Sequence, residues 1–138
     1  IFLITYAAWC IPGKGEIPAL NKLAKENKDI EFIVIVWGKK KEAKKFAKKF
    51  SSNIEVCYAD KNYKNDNEIV SNMKETLGFP TCYSIDSNLQ IIDIKRGAAS
   101  VPLKTPNKKA YEMNYAVFKE RISQLTSIQN KKDFLVNQ

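Results

Sequence analysis

The 138-residue chain predicts an α/β fold, a three-layer α/β/α sandwich around a mixed central sheet. Three observations carry this. Apolar, β-branched runs alternate with segments whose apolar residues recur at helical spacing, the pattern of parallel strands joined by right-handed helical crossovers. Two late apolar runs are separated only by Asp86-Ser87-Asn88, a hairpin signal that adds an antiparallel edge. An apolar content of 44% is ordinary for a globular protein and supports a packed core without disulfide staples. The length is that of one domain. Residues 1–138 are therefore read as a single domain with a polar C-terminal tail over about 129–138, without internal repeats.

Taken in order, residues 1–6 read as a buried strand. Residues 12–28 read as a helix whose stripe is Ile17, Leu20, Leu23, Ala24 and Asn27. Pro12 suits its first turn, and Pro18, inside the pattern, is expected to kink it. Residues 30–37 (IEFIVIVW) are an apolar β-branched run, hence a buried strand. A lysine-rich helix follows over about 39–50, with Ala43, Phe46, Ala47 and Phe50 on one face. Residues 54–58 read as a short strand and 60–67 as polar loop. Ile69, Val70, Met73 and Leu77 mark a helix stripe closed by Gly78. Residues 80–85 and 89–95 are the hairpin strands. Thr105-Pro106 is an N-cap with a first-turn proline. It opens a helix to about Ile128, with Tyr111, Tyr115, Phe118, Ile122 and Leu125 on one face. Phe134-Leu135-Val136 is an apolar patch in the tail that can dock.

The net charge of +8 invites an anionic partner. Most of the excess lies in the seven lysines between Lys39 and Lys49, which fall around the apolar face of one helix and read as its solvated sides. No aromatic-interleaved motif or zinc-finger spacing points to nucleic acid, so none is expected as partner. No apolar run approaches the ~18–20 residues of a membrane span. The chain opens inside an apolar run with no basic leader before it, so no targeting signal is read. Composition sets no oligomeric state.

Three cysteines, Cys10, Cys57 and Cys82, are accompanied by no histidine. Ser-His-Asp and Cys-His catalysis are thereby excluded within the chain, and the commonest zinc ligand is missing. No metal or cofactor is expected, and Gly13-Lys14-Gly15 lacks the spacing of a phosphate-binding loop. Cys57 and Cys82 lie in apolar strand patterns and are expected to pack as small hydrophobes. A Cys57–Cys82 disulfide stays open at this point, as does a resolving role for Cys82.

Around Cys10 the chain reads Trp9-Cys10-Ile11-Pro12-Gly13-Lys14-Gly15-Glu16-Ile17-Pro18-Ala19-Leu20, and Gly78-Phe79-Pro80-Thr81 opens a later strand. This resembles the thioredoxin fold, and within it the TlpA/ResA type of thiol–disulfide oxidoreductase, which reads W-C-x-P-C-x-x-E-x-P-x-L. The strand and helix read between residues 54 and 77, Ile85-Asp86 before the hairpin turn and Gly97 after it also match. The resemblance covers about residues 1–125 and departs at the second cysteine, replaced by Gly13. A second departure is Ile4, where many thioredoxins carry a buried aspartate that serves the second thiol. With no second thiol, no such base is required.

The resemblance implies several things. Pro80 is the cis-proline facing Cys10. The loop at that proline, with Phe79 and Thr81, presents backbone to an extended substrate. Trp9, Ile11 and Pro12 complete the contact surface, while Gly13 and Glu16 modulate the thiol. The partners are protein or small-molecule thiols and disulfides, and the location is the bacterial cell envelope or periplasm.

A thiolate is the nucleophile in disulfide exchange, and a cysteine at a helix N-terminus feels the positive end of the helix dipole. Cys10 is expected there. Gly13 and Gly15 are expected to loosen the first turn. What Gly13 removes is release of a mixed disulfide by a neighbouring thiol. Three readings follow: a one-cysteine oxidoreductase or isomerase resolved by an external or substrate thiol, a redox-inactive module binding a peptide or protein along the Pro80 groove, and a peroxidase. Peroxiredoxin sites carry a threonine where this chain has Ala7, and an arginine nearby. Only Arg96 and Arg121 are available here. Glu16 reads either as a buried carboxylate acting on Cys10 or as an ordinary helix-start acid.

Overall fold

The computed structural model describes residues 1–13, 15–59 and 78–136, with side chains described up to residue 127. Five strands form one sheet in the order β3-β2-β1-β4-β5. They are β1 (Phe2–Ala7), β2 (Phe32–Trp37), β3 (Ile54–Ala59), β4 (Thr81–Ile85) and β5 (Ile91–Arg96). β1, β2 and β3 run parallel, with Ile4 level with Val34 and Val34 with Val56, whereas β4 and β5 are antiparallel to their neighbours. The mixed sheet is as the sequence predicts. The hairpin is closed by Asp86, whose Oδ1 accepts from the Asn88 and Gln90 amides at 2.9 and 3.0 Å.

The period of two along a strand puts Phe2, Ile4 and Tyr6 on one face of β1. With Phe32, Val34 and Val36 of β2, they form the floor of the principal core. Three helices, α1 (Glu16–Glu26), α2 (Lys40–Ala47) and α3 (Asn107–Val136), cover that face. α1 supplies Leu20 and Leu23, α2 supplies Phe46, and α3 supplies Phe118, Ile122 and Leu125. The helix expected over 69–77 lies outside the described residues, as does the loop over 60–67.

Three expectations change here. First, α1 begins at Glu16 rather than at residue 12. Pro18 is then its third residue, inside the first turn, where a missing N–H costs nothing. The first i→i−4 bond runs from Ala19 to Gly15 at 3.2 Å, and no kink is required. Second, α3 does not end near Ile128 but continues to Val136, so the tail is helical through most of its length. Third, the buried stripe of α3 includes Ala110, Asn114 and Arg121, with Tyr111 and Tyr115 only half-buried. Asn114 is tolerated because its side chain bridges two backbone groups: Oδ1 accepts from the Ala99 amide at 2.9 Å and Nδ2 donates to the Ala110 carbonyl at 3.0 Å.

Candidate functional site

Cys10 sits in the loop between β1 and α1, half-buried, with its amide donating to the Ala7 carbonyl at 2.9 Å. Since α1 starts at Glu16, Cys10 lies six residues ahead of the first helical residue, not at the N-cap. The expected direct action of the helix terminus on the thiol is therefore not found. The dipole effect falls off within a turn, and the intervening loop takes up the cap position with Gly15.

Gly15 does not loosen this junction. It adopts φ +79°, in the left-handed region, and a β-carbon there would stand 2.4 Å from the Tyr111 nitrogen on α3. The start of α1 is thus pressed onto the backbone of α3, and only glycine meets both requirements.

Glu16, the first residue of α1, turns its carboxylate back under the loop and is 1% exposed. The Tyr6 hydroxyl donates to Oε1, and the Gly13 amide donates to Oε2 at 2.6 Å. Burial pushes the Glu16 carboxyl above its ordinary value, opposed by these two donors. Burial, together with the adjacent carboxylate, also holds the Tyr6 phenol well above its ordinary value, so Tyr6 stays a neutral donor. A β-carbon at Gly13 would lie 2.9 Å from Glu16 Oε2. A side chain at Gly13 would therefore require the end of the Glu16 side chain to shift. Ile4 packs in the core level with Cys82.

The Phe79–Pro80 peptide is cis, as the resemblance implies. Its loop reaches the Cys10 loop through the edge-to-face contact of Phe79 with Trp9, centroids 6.3 Å apart. The Pro80 carbonyl accepts from the Gly97 amide at 2.8 Å. Trp9 and Ile11 flank Cys10 and are 59% and 94% exposed, while Pro12 is half-buried. Thr81 departs from the expected substrate contact. It is buried, and its hydroxyl donates to the Gly78 carbonyl at 2.7 Å, so its side chain closes the loop instead.

The other two cysteines are set apart from Cys10. Cys82 is buried in the core. Burial pushes its thiol up to about 12, against the opposing effect of Arg121. Arg121 Nη1 donates to Cys82 Sγ at 3.2 Å and to the Gly97 carbonyl at 2.7 Å, and Nη2 donates to the Arg96 carbonyl at 3.3 Å. Arg121 therefore serves Cys82, not the Cys10 loop. Cys57 is exposed on edge strand β3, contrary to the expected core packing. Alternation turns Cys57 to the sheet face opposite the principal core. Burial and the nearby Glu55 carboxylate raise its thiol. The register places Cys57 level with Ile35, Thr5 and Thr81. Cys82 is thus three strand spacings away, about 14 Å, and on the opposite face. That exceeds the ~4.4–6.8 Å Cα separation of a disulfide, and all three thiols are free.

The lysine-rich helix borders the cysteine loop. A cleft of about 310 Å³ is lined by Trp9, Cys10 and Ile11 on one side and by Lys45, Phe46 and Lys49 on the other, with Ala8 and Glu42 completing it. Lys49 Nζ lies 4.8 Å from the centroid of the Phe46 ring. The lysines of this segment are exposed, as expected of solvated sides; that two of them border the cleft was not read from the sequence. The available signal was the i, i+4 spacing of Lys45 and Lys49, which puts both on one helix edge. The crossover that lays α2 beside the end of β1 was not readable from spacing.

No family model and no curated protein matches this sequence. Solved structures do match. One is a Chlorobium tepidum protein assigned as a thiol:disulfide interchange protein DsbE, at 19% identity and TM-score 0.60, over 90% of this chain and 78% of that one. Another is DsbF of MTB in mixed oxidised and reduced forms, at 17% identity and TM-score 0.51, over 83% of this chain and 78% of that one. A third is a secreted Mycobacterium tuberculosis disulfide oxidoreductase homologous to E. coli DsbE, at 13% identity and TM-score 0.55, over 83% of this chain and 79% of that one. At these identities the likeness is one of architecture. Together with the mixed sheet order and the cis-proline loop beside the cysteine loop, it identifies this chain as having the thioredoxin fold.

Proposed function

We propose that this protein is a thiol–disulfide oxidoreductase or isomerase working through one nucleophilic cysteine, Cys10, with the mixed disulfide resolved by an external or substrate thiol. The single observation that carries this is the separation of the three thiols. Cys10 is reachable at the mouth of a cleft, Cys82 is sealed in the core beneath Arg121, and Cys57 stands on an edge strand about 10 Å, two strand spacings, from β1. On this reading neither Cys57 nor Cys82 releases a Cys10 adduct. One neighbour of this fold is described as a thiol:disulfide interchange protein and another as a disulfide oxidoreductase, which supports the reaction class. Trp9, Ile11, Pro12, Phe79 and the backbone at Pro80 would form the contact surface, with Gly13 and Glu16 shaping the loop that holds the thiol.

The step requires the Cys10 thiolate to attack one sulfur of a disulfide R–S–S–R. The S–S bond breaks, Cys10–S–S–R forms, and R–S⁻ departs and is protonated by solvent. A second thiolate R′–S⁻ then attacks the adduct, restoring Cys10 and releasing R–S–S–R′. An extracytoplasmic location is part of this proposal, because disulfide exchange on secreted proteins belongs to oxidising compartments and one architectural neighbour is described as secreted. No described helix is long and apolar enough to cross a membrane.

The second reading, a redox-inactive binding module, is favoured by the exposed Trp9 and Ile11 and by glycine standing where the second cysteine would be. Turnover separates the two. In a Cys57→Ser background, the protein is expected to deglutathionylate a peptide disulfide in the presence of glutathione, and Cys10→Ser is expected to abolish it. Tight peptide binding that survives Cys10→Ser, without turnover in the parent, would establish the binding module instead.

A further inference from the structure

We infer that the cleft beside Cys10 is a binding site for a small carboxylate-bearing disulfide or thiol, with Lys45 and Lys49 as its specificity determinants. This rests on the reading of Cys10 as a nucleophile and names the substrate class for that same site.

The cleft places a thiol, an aromatic floor and two ammonium groups around one volume of about 310 Å³. That size is at the lower end of small-molecule sites, which favours a compact ligand over a protein segment. Phe46, from the buried face of α2, forms the apolar part. Lys45 and Lys49 stand one helical turn apart along one edge, opposite the cysteine loop. Neither lysine makes an ion pair among the described residues. The one acid of the lining, Glu42, accepts the Lys39 amide at 3.0 Å at the start of α2, where the helix dipole favours it. Between Lys39 and Phe50 there are seven lysines against that one glutamate. The cleft lining therefore carries two ammonium groups against one carboxylate, a net positive charge.

A carboxylate-bearing disulfide supplies what is missing: negative charge for the two ammonium groups and a sulfur for Cys10. The chemistry is the exchange already written, with R carrying the carboxylates. The two lysines take no part in bond making. They raise the local concentration of the anionic substrate and orient it across the cleft.

The test uses three small disulfides of different charge: oxidised glutathione (anionic), 2-hydroxyethyl disulfide (neutral) and cystamine (cationic). In the full chain carrying Cys57→Ser, the rate of Cys10 adduct formation is followed by mass spectrometry. The readout is the ratio of the glutathione rate to the neutral rate, in which any change of intrinsic Cys10 reactivity cancels. We expect Lys45→Gln/Lys49→Gln to lower this ratio about tenfold and to raise the cystamine ratio. Lys45→Arg/Lys49→Arg is expected to retain the parent ratios, and added salt to compress all of them. Ratios unchanged in the glutamine variant would overturn the lysine assignment while leaving Cys10 an exchange nucleophile. Failure of Cys10 to react with any of the three would overturn the nucleophile reading and this inference with it.

Discussion

Glu16 is buried one residue into a helix, where a carboxylate survives only because Tyr6 and the Gly13 amide donate to it. Its carboxyl is raised mainly by burial, and the sign of the linkage follows. The folded chain holds the proton more tightly than the unfolded chain. The associated stability is therefore full below the ordinary carboxyl value near 4.5 and is lost as pH rises through the folded value, by up to about 1.4 kcal/mol per pH unit. Glu16→Gln removes this titration. Denaturant unfolding of both proteins from pH 4 to 8 is expected to show the parent losing stability relative to the variant as pH rises, then running parallel. Parallel curves throughout would refute the assignment. The same carboxylate bears on Gly13→Cys, since the new side chain must move Oε2, which accepts from the Gly13 amide.

The junction between the cysteine loop and α1 depends on Gly15, whose left-handed backbone lies against α3. Gly15→Ala combines a strained φ of about 1–2 kcal/mol with a collision against backbone that cannot rotate away. A loss of roughly 2–4 kcal/mol is expected. Gly13→Ala meets only the end of the Glu16 side chain and is expected to cost about 1 kcal/mol, within the usual range for a point change. Chemical denaturation of the two variants checks the order, and equal losses would mean that the α1–α3 contact does not govern this junction. The composition of the loop showed two helix-weakening glycines. Their different duties depend on what lies beside each, and α3 is distant in sequence.

Across the whole molecule, the sheet order and the helical layer divide the thiols by access. Cys82 lies in the core with Arg121 at its sulfur, whereas Cys57 is exposed and Cys10 half-buried. Titration of the native protein with a thiol reagent is expected to modify two cysteines, with the third released only on global unfolding. Cys82 modification would then follow the unfolding rate. Labelling of Cys82 as fast as Cys57 would show the core to be open. The apolar strand pattern predicted the burial of Cys82 correctly, because β4 is an interior strand covered on both faces. The same reasoning failed for Cys57, because burial there depends on which strand forms the edge, and strand order is not written in period.

The alternation of strands and helices, the hairpin at Asp86 and the match around Cys10 determined by themselves the fold class and the absence of a second thiol at Gly13. These are local or additive properties, legible wherever a short stretch of chain dictates its own backbone. The tertiary structure alone decided that α1 begins beyond the cysteine loop, that the buried Glu16 carboxylate accepts from Tyr6 and the Gly13 amide, that Arg121 belongs to Cys82, and that Lys45 and Lys49 share a cleft with Cys10. Each of these depends on contacts between segments remote in sequence, where packing and desolvation set the outcome and no local pattern records the neighbour.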